Sequence, residues 1–253
     1  MSFTSPRFPL EIYDVIIDDI GVAISPIRLW KPNQEDDEED TLRSLHQCAL
    51  VCRRWRARAQ MWAFRKVTIH NMTSLRRLSY VLEAAPPLAS HIRFVQLSCG
   101  SESYDFRGGT FPSHNVAIRF PSIFTSRLMS LRSIALVGYR NTEHPAARYG
   151  MPYLPFPPRA SPGYFATYAT VAELSLYRIK FAAFPDFAKL LSCFLCLEEL
   201  SCSRVAWSIL GLLPACMARQ PSRSRKQPLG RLRKLTVCIL YRARNDNSCS
   251  PYP

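Results

Sequence analysis

The chain has 253 residues, of which 47% are hydrophobic and 21% are charged, so it can bury a core and is not wholly disordered. Its formal net charge is +14, but residues 1–40 hold ten acidic and three basic groups, and the remainder carries +21. A basic body allows a nucleic-acid partner, although an arginine-rich surface in contact with water is the simpler interpretation.

Nothing in the first 30 residues has the pattern of an export signal, because proline and acidic side chains interrupt every apolar stretch. No apolar run is long enough to span a bilayer, so the sequence predicts no membrane partner. Nine cysteines, an odd number, favour reduced thiols over a disulfide framework. We therefore expect an intracellular protein of the cytoplasm, the nucleus or both.

Residues 9–20 are predicted to form a first helix, with Pro9 in its first turn. Apolar residues recur there at spacings of three and four and share one face: Ile12, Val15, Ile16 and Ile20. Residues 21–40 are predicted to be an acidic loop, because Pro26 and Pro32 break helices and Glu35–Asp40 is an unbroken acidic run. The run could be a solvated loop, an interaction tail or a cover for the basic body.

A second helix is predicted to begin at Thr41, which can cap it. Its apolar stripe consists of Leu42, Leu45, Ala49 and Cys52, and the pattern continues through Trp55, Ala59 and Trp62. The run Cys48–Cys52 is apolar all round, which predicts that it is enclosed on several sides. Residues 64–69 then alternate and contain β-branched side chains, which indicates a short strand.

A short unit recurs five times in the rest of the chain: an apolar residue, two variable positions, a second apolar residue, one variable position and a third apolar residue. The copies begin at Ile92, Leu131, Val171, Leu197 and Leu232. Their fourth positions are 39, 40, 26 and 35 residues apart. One such strand cannot bury its inner face alone, so the units are expected to stack as an irregular β/α solenoid.

Helix-like segments lie between the copies, at 74–84 and 184–195. Residues 99–115 and 141–163 are rich in glycine or proline and are predicted to be loops that could form a recognition surface. The basic segment 219–231 could be a solvated loop, a nuclear-import signal or a phosphate-binding patch. The polar tail 245–253 follows without a visible capping repeat, so either it caps the last unit or the chain is a shortened form.

We find no motif for a catalytic nucleophile, a phosphate loop or a zinc protease, and the five histidines are scattered singly. Cys193 and Cys196 have metal-like spacing, with Cys202 close by, but no second pair completes a zinc site. These cysteines are therefore predicted to pack in the core. The sequence predicts no enzymatic activity, no cofactor and no metal.

Residues 8–69 resemble an F-box, specifically the F-box-like domains of filamentous fungi such as mushroom-forming species. The resemblance is carried by Pro9-Leu-Glu-Ile12 with Ile16 and Ile20, by Leu45-His-Gln-Cys-Ala-Leu-Val-Cys-Arg-Arg-Trp55 with Ala59, and by Phe64-Arg-Lys-Val-Thr-Ile69. The middle block is the most specific part. The repeats that follow are similar in architecture to the leucine-rich regions that often accompany F-boxes.

The resemblance implies a mixed α/β fold, with an F-box-like three-helix module at 1–69 and an irregular leucine-rich-repeat-like body at 70–244. It implies an adaptor of an SCF-type (Skp1–cullin–F-box) ubiquitin ligase, which docks Skp1 with its helices and recruits an unknown protein with its body. The residues that match the docking motif are Pro9, Leu10, Ile12, Ile16, Leu50, Val51 and Trp55.

Two alternatives stay open. The helices could belong to a protein-binding scaffold without a ligase role, and the same apolar residues could simply pack against one another and the first repeat. The basic body could bind nucleic acid, but few aromatic side chains are interleaved with the basic clusters, so this ranks last.

Overall fold

The computed structural model describes residues 10–23, 35–99, 116–124, 127–138, 168, 170–181, 183–207 and 231–238. It combines helices with parallel strands and so confirms the mixed α/β class. The helices are α1 (Leu10–Val22), α2 (Glu35–Val51), α3 (Arg53–Ala63), α4 (Met72–Ala84), α5 (Val116–Phe124) and α6 (Phe184–Ser192), with a 3-10 turn at Pro86–His91. The strands are β1 (Lys66–Ile69), β2 (Phe94–Ser98), β3 (Ser133–Val137), β4 (Glu173–Tyr177), β5 (Lys180–Phe181), β6 (Glu199–Ser203), β7 (Ala206–Trp207) and β8 (Lys234–Cys238).

Six strands form one sheet in the order β1-β2-β3-β4-β6-β8, and all neighbouring strands run parallel. The register places the fourth positions of the five sequence units opposite one another across the sheet: Val95, Ile134, Leu174, Leu200 and Leu235. The prediction that the units line up as neighbouring strands is therefore confirmed. Strands β5 and β7 form a second, two-stranded parallel sheet.

The main core lies between the sheet and the helices α4, α5 and α6. It contains the apolar residues of the first four units, because in each strand they alternate with residues that point to the other face of the sheet. Its largest fully buried side chains include Phe120, Phe124, Phe181 and Phe194. The corresponding positions in β8 differ, since Leu235 and Val237 are exposed.

Helix α4 shows how local sequence sets one of these elements. The Asn71 side chain accepts a hydrogen bond from the Ser74 backbone N–H at 2.8 Å, and the Ser74 Oγ accepts one from the Asn71 N–H at 3.1 Å. This reciprocal cap satisfies two N–H groups that the helix itself leaves unpaired. Leu75, Leu78 and Leu82 then face the core, which confirms the helix predicted at 74–84.

Two turns repeat along the sheet. The chain leaves β4 through Arg178 with φ 54° and leaves β6 through Arg204 with φ 55°. Both residues adopt the left-handed conformation that non-glycine residues seldom use. Each turn leads into one strand of the small sheet, so consecutive units share a backbone geometry as well as an apolar pattern.

The predicted acidic loop at 21–40 is wrong at both ends, because α1 continues to Val22 and α2 already begins at Glu35. Acidic residues suit the first turns of a helix, where the dipole is positive. Further along, Arg43 forms ion pairs with Glu39 at 3.3 Å and with Asp40 at 3.0 Å. Thr41 consequently lies inside the helix and is not its cap.

Several predictions fall outside the described residues. These are Pro9, residues 24–34, most of the loops at 99–115 and 141–163, the basic segment 219–230 and the tail 245–253. Among the helices that the structure describes, none has the length and apolar character needed to cross a bilayer.

Candidate functional site

The first three helices form a separate apolar cluster of their own. Ile17, Leu45, Ala59 and Trp62 are buried together, one or two from each helix. Leu42, Ala49 and Trp55 pack against this cluster while remaining half-buried, so the predicted stripes of α2 and α3 do face the interior. Helix α1 contributes its Ile17 side to the cluster and leaves the face with Ile12 and Ile16 outside.

Ion pairs fix how α1 and α3 lie against each other. Arg54 donates to Asp14 at 3.2 Å, and one turn further along both helices Arg58 donates its Nε–H to Asp18 at 2.7 Å. Because both partners advance by four residues, the two helices run in the same direction. Trp62 adds a third connection by donating its indole N–H to Asp18 at 2.8 Å.

Asp18 is the best-connected charged residue of this module. It accepts from the Nε and Nη2 atoms of Arg58 and from the Trp62 indole. The hydrogen bond from Arg58 is the main reason that the Asp18 pKa lies below its ordinary value, while partial desolvation opposes the shift. The same contact raises the pKa of Arg58. The pair therefore stays ionised at neutral pH and holds the two helices in register.

Gly21 allows α1 to approach α3 closely. A Cβ atom at this position would overlap the indole ring of Trp62. Glycine is consequently needed for the contact, although it is a poor helix former.

Apolar side chains remain exposed on α1 and at the end of α2. Leu50 is 80% exposed and Val51 is 63% exposed, at the point where α2 ends and α3 is about to begin. On α1, Ile12 and Ile16 are 44% and 43% exposed. We call these four residues, together with Val15, the apolar corner. Large apolar side chains left exposed on helices that pack together are typical of protein-interaction surfaces.

The residues predicted for docking fall into three groups. Ile12, Ile16, Leu50 and Val51 belong to the apolar corner. Trp55 is half-buried, and its ring centre lies 5.2 Å from that of Tyr13, so it supports the helices as well as lining the same end. Leu10 begins α1, but the structure does not describe its side chain, and Pro9 lies outside the described residues.

One expectation about this region is wrong. The run Cys48–Cys52 was expected to be enclosed, yet Leu50, Val51 and Cys52 are exposed. The reason is their position at the corner between two helices, where no other part of the described chain covers them. Val15 also belongs to the apolar corner and is 58% exposed. It is not part of the docking motif, but its spacing from Ile12 and Ile16 predicts that it shares their face of the helix.

Two of the three cysteines with metal-like spacing pack in the core, as predicted. Cys193 and Cys202 lie in the main core, and Cys196 is half-buried. Burial raises the pKa of both core thiols to about 11 and that of Cys99 to about 12. Among the described residues, no three His, Cys, Asp or Glu side chains are grouped so that they could hold a metal ion.

Comparison with known proteins gives no family model that matches the chain and no curated protein that matches it. What the chain does is therefore inferred from its residues and their geometry.

Proposed function

We propose that the chain is a non-catalytic, F-box-like adaptor of an SCF-type ubiquitin ligase. In this proposal α1, α2 and α3 dock a Skp1-like protein, and the strand repeats hold a second protein. The observation that carries it is the apolar corner, because four of its five exposed members, all except Val15, match the docking motif of the F-box-like family.

The energetics of the corner support a partner. Burying a Leu, Ile or Val side chain that would otherwise be exposed stabilises a complex by about 1.5–3 kcal/mol. The five members of the corner are 43–80% exposed, so most of this free energy is still available to a binding protein. Residues at the centre of such a patch are expected to dominate the affinity.

The strand repeats offer a separate surface for the recruited protein. Strand β4 alternates between buried and half-buried residues, and β6 does the same after its exposed first residue. On the open side lie Ser175 and Tyr177 of β4 and Ser201 and Ser203 of β6. Because β4 and β6 keep the same register, these side chains form rows that a partner could contact across two neighbouring units. The stacked units are the basis for describing the body as leucine-rich-repeat-like.

A binding experiment with a purified fungal Skp1 protein tests the docking half of the proposal. The wild-type chain should retain Skp1, whereas Leu50→Asp combined with Val51→Asp should abolish retention, because two charges would be buried without partners. Val22→Asp is the matched control, since Val22 is also apolar and 65% exposed but lies at the far end of α1. This control should bind like the wild type.

The possible results separate the candidate functions. If the wild-type chain does not bind Skp1 while a known F-box protein does, the ligase role is wrong. A folded chain that fails with Skp1 but captures another protein through the apolar corner would instead be a scaffold without a ligase role. Far-UV circular dichroism of each variant establishes that the helices are intact.

A further inference from the structure

Arginine occupies the same position before each of the first three strands. The backbone carbonyl of Arg65 accepts hydrogen bonds from the N–H groups of Arg93 and Phe94, both at 3.0 Å. The carbonyl of Arg93 accepts in the same way from Arg132 at 2.9 Å and Ser133 at 3.0 Å. Arg65, Arg93 and Arg132 therefore stand side by side at one end of the sheet, and we call them the arginine row.

A cavity of about 340 Å³ opens onto the arginine row. All three arginines line it, together with Met61 from the end of α3 and His91 from the 3-10 turn. Binding sites for small molecules commonly start at this volume. The cavity thus lies between the end of α3 and the sheet. None of its lining residues belongs to the apolar corner.

The guanidinium groups of the arginine row are not ion-paired within the described part of the chain. No carboxylate of the described residues forms an ion pair with any of the three guanidinium groups. Neighbouring strands of a sheet are about 4.8 Å apart, so three positive side chains occupy about 10 Å. Like charges directly opposite one another on adjacent strands are unfavourable. A bound anion would remove this repulsion.

Two aromatic rings hold the Arg65 guanidinium in a position from which it can bind an anion. Its guanidinium carbon lies 4.6 Å from the ring centre of Trp62 and 6.0 Å from that of Phe94. Trp62 is itself fixed by its hydrogen bond to Asp18. A guanidinium stacked between aromatic rings loses little further freedom when it binds, and its planar fork matches the oxygens of a phosphate.

The arginine row ends at β3. The equivalent positions before β4, β6 and β8 are Ala172, Glu198 and Arg233, as the same pattern of backbone hydrogen bonds shows. Glu173 and Glu199 follow directly and begin their strands. A long polyanion laid along this edge would meet carboxylates after three strands. The charge pattern therefore suits a compact anion and not an extended nucleic-acid strand.

From these observations we infer that the arginine row and its cavity form a binding site for a compact, multiply charged phosphate compound, one that carries two or more contiguous phosphate groups. Contiguous phosphates concentrate several negative charges within the short span of the row. The site is independent of the proposed ligase role, because it shares no residue with the apolar corner.

Titration calorimetry of the full chain with inorganic pyrophosphate at low ionic strength tests this inference. We expect one pyrophosphate per chain, and a Kd raised about tenfold or more by Arg93→Gln or by Arg132→Gln, as for the loss of a charged hydrogen bond. Arg233→Gln is the matched control, since Arg233 has the same backbone position and is exposed but stands three strands away. Its Kd should equal that of the wild type.

Thermal unfolding gives a second measurement that does not need the ligand. Without pyrophosphate, Arg93→Gln should raise the Tm by about 1–2 °C at low salt, because it relieves repulsion in the row. With pyrophosphate present, the wild type should gain more Tm than the variant.

Three results would overturn the inference. The first is no saturable binding at millimolar pyrophosphate, and the second is a lower Tm for ligand-free Arg93→Gln, which would make that arginine structural. The third is tight binding of a single-stranded oligonucleotide that Arg233→Gln weakens as much as Arg93→Gln does. That outcome would indicate an extended nucleic-acid surface in place of a compact site.

Discussion

At the scale of single residues, Asp18 has the largest influence on the three-helix module, because one carboxylate joins α1 to two side chains of α3. Its pKa is lowered, mainly by the hydrogen bond from Arg58. A carboxylate with a lowered pKa contributes stability above its unfolded-state pKa, and the contribution is lost as the pH falls through the folded-state pKa. For Asp18 the loss begins near its ordinary value of 3.8 and continues below it.

Asp18→Asn should lower the free energy of unfolding by about 1 kcal/mol at pH 7, a value reduced because the ion pair is partly exposed. The difference from the wild type should shrink as the pH falls below 3.8, the ordinary pKa, and on through the lower folded-state pKa, where the wild-type carboxylate also becomes neutral. Urea unfolding monitored by circular dichroism between pH 7 and pH 3 measures both effects.

Asp14→Asn serves as the control for this prediction, because the Asp14–Arg54 pair is more exposed and lacks a tryptophan contact. At pH 7, Asp14→Asn should lower the free energy of unfolding by clearly less than Asp18→Asn does. If Asp18→Asn and the wild type differ by the same amount at pH 7 and at pH 3, the ion pair with Arg58 does not stabilise the fold.

At the scale of elements, the strands were predictable and the boundaries of the helices were less so. Val95 and Leu97 are two residues apart and therefore share one face of β2, so their pairing with Ile134 and Leu136 followed from the recurring pattern. The start of α2 did not, because an acidic run has no apolar period. Its helical state depends on dipole and ion-pair effects that compete closely with solvation.

The contact between α1 and α3 reverses the effect on stability that a glycine-to-alanine substitution usually has in a helix. In an exposed helix, replacing glycine by alanine raises stability by up to about 1 kcal/mol. Gly21→Ala should instead destabilise the chain by about 1–3 kcal/mol, since the new methyl group must displace the Trp62 indole. Tryptophan fluorescence during urea unfolding measures the change.

Val22→Ala is the neighbouring control, because Val22 is exposed and alanine is the better helix former. It should leave the stability unchanged or slightly higher. An increase in stability for Gly21→Ala would mean that α1 does not pack against Trp62 as described.

At the scale of the whole molecule, the sequence predicted most residues of the apolar corner. It did not predict whether the chain itself or a partner covers them. Four of the predicted docking residues are exposed: the helical period and the family-like motif both select Ile12 and Ile16, whereas the motif alone selects Leu50 and Val51. Their exposure was not predictable from composition, since an apolar run such as Cys48–Cys52 reads the same whether the chain or a partner encloses it. The arginine row was not predictable from the sequence, because its members are 28 and 39 residues apart and come together only through the register of the sheet.

Thiol reactivity reports on both parts of the molecule in one experiment, because the described cysteines lie in the three-helix module and in the main core. Cys99, Cys193 and Cys202 are buried with raised pKa values, so they should resist alkylation at pH 8 in the native state. Cys52 is exposed beside Leu50 and Val51 and should react readily. Peptide-level mass spectrometry resolves each site.

The same labelling connects the corner to its proposed partner. Excess Skp1 should slow alkylation of Cys52 severalfold, because a docked protein would cover the corner, while the buried thiols stay unreactive with or without it. In the variant with Leu50→Asp and Val51→Asp, Skp1 should give Cys52 no protection. Rapid native-state labelling of Cys99 would show that the sheet core opens easily, and an unchanged Cys52 rate in a Skp1 complex would place the contact elsewhere on the chain.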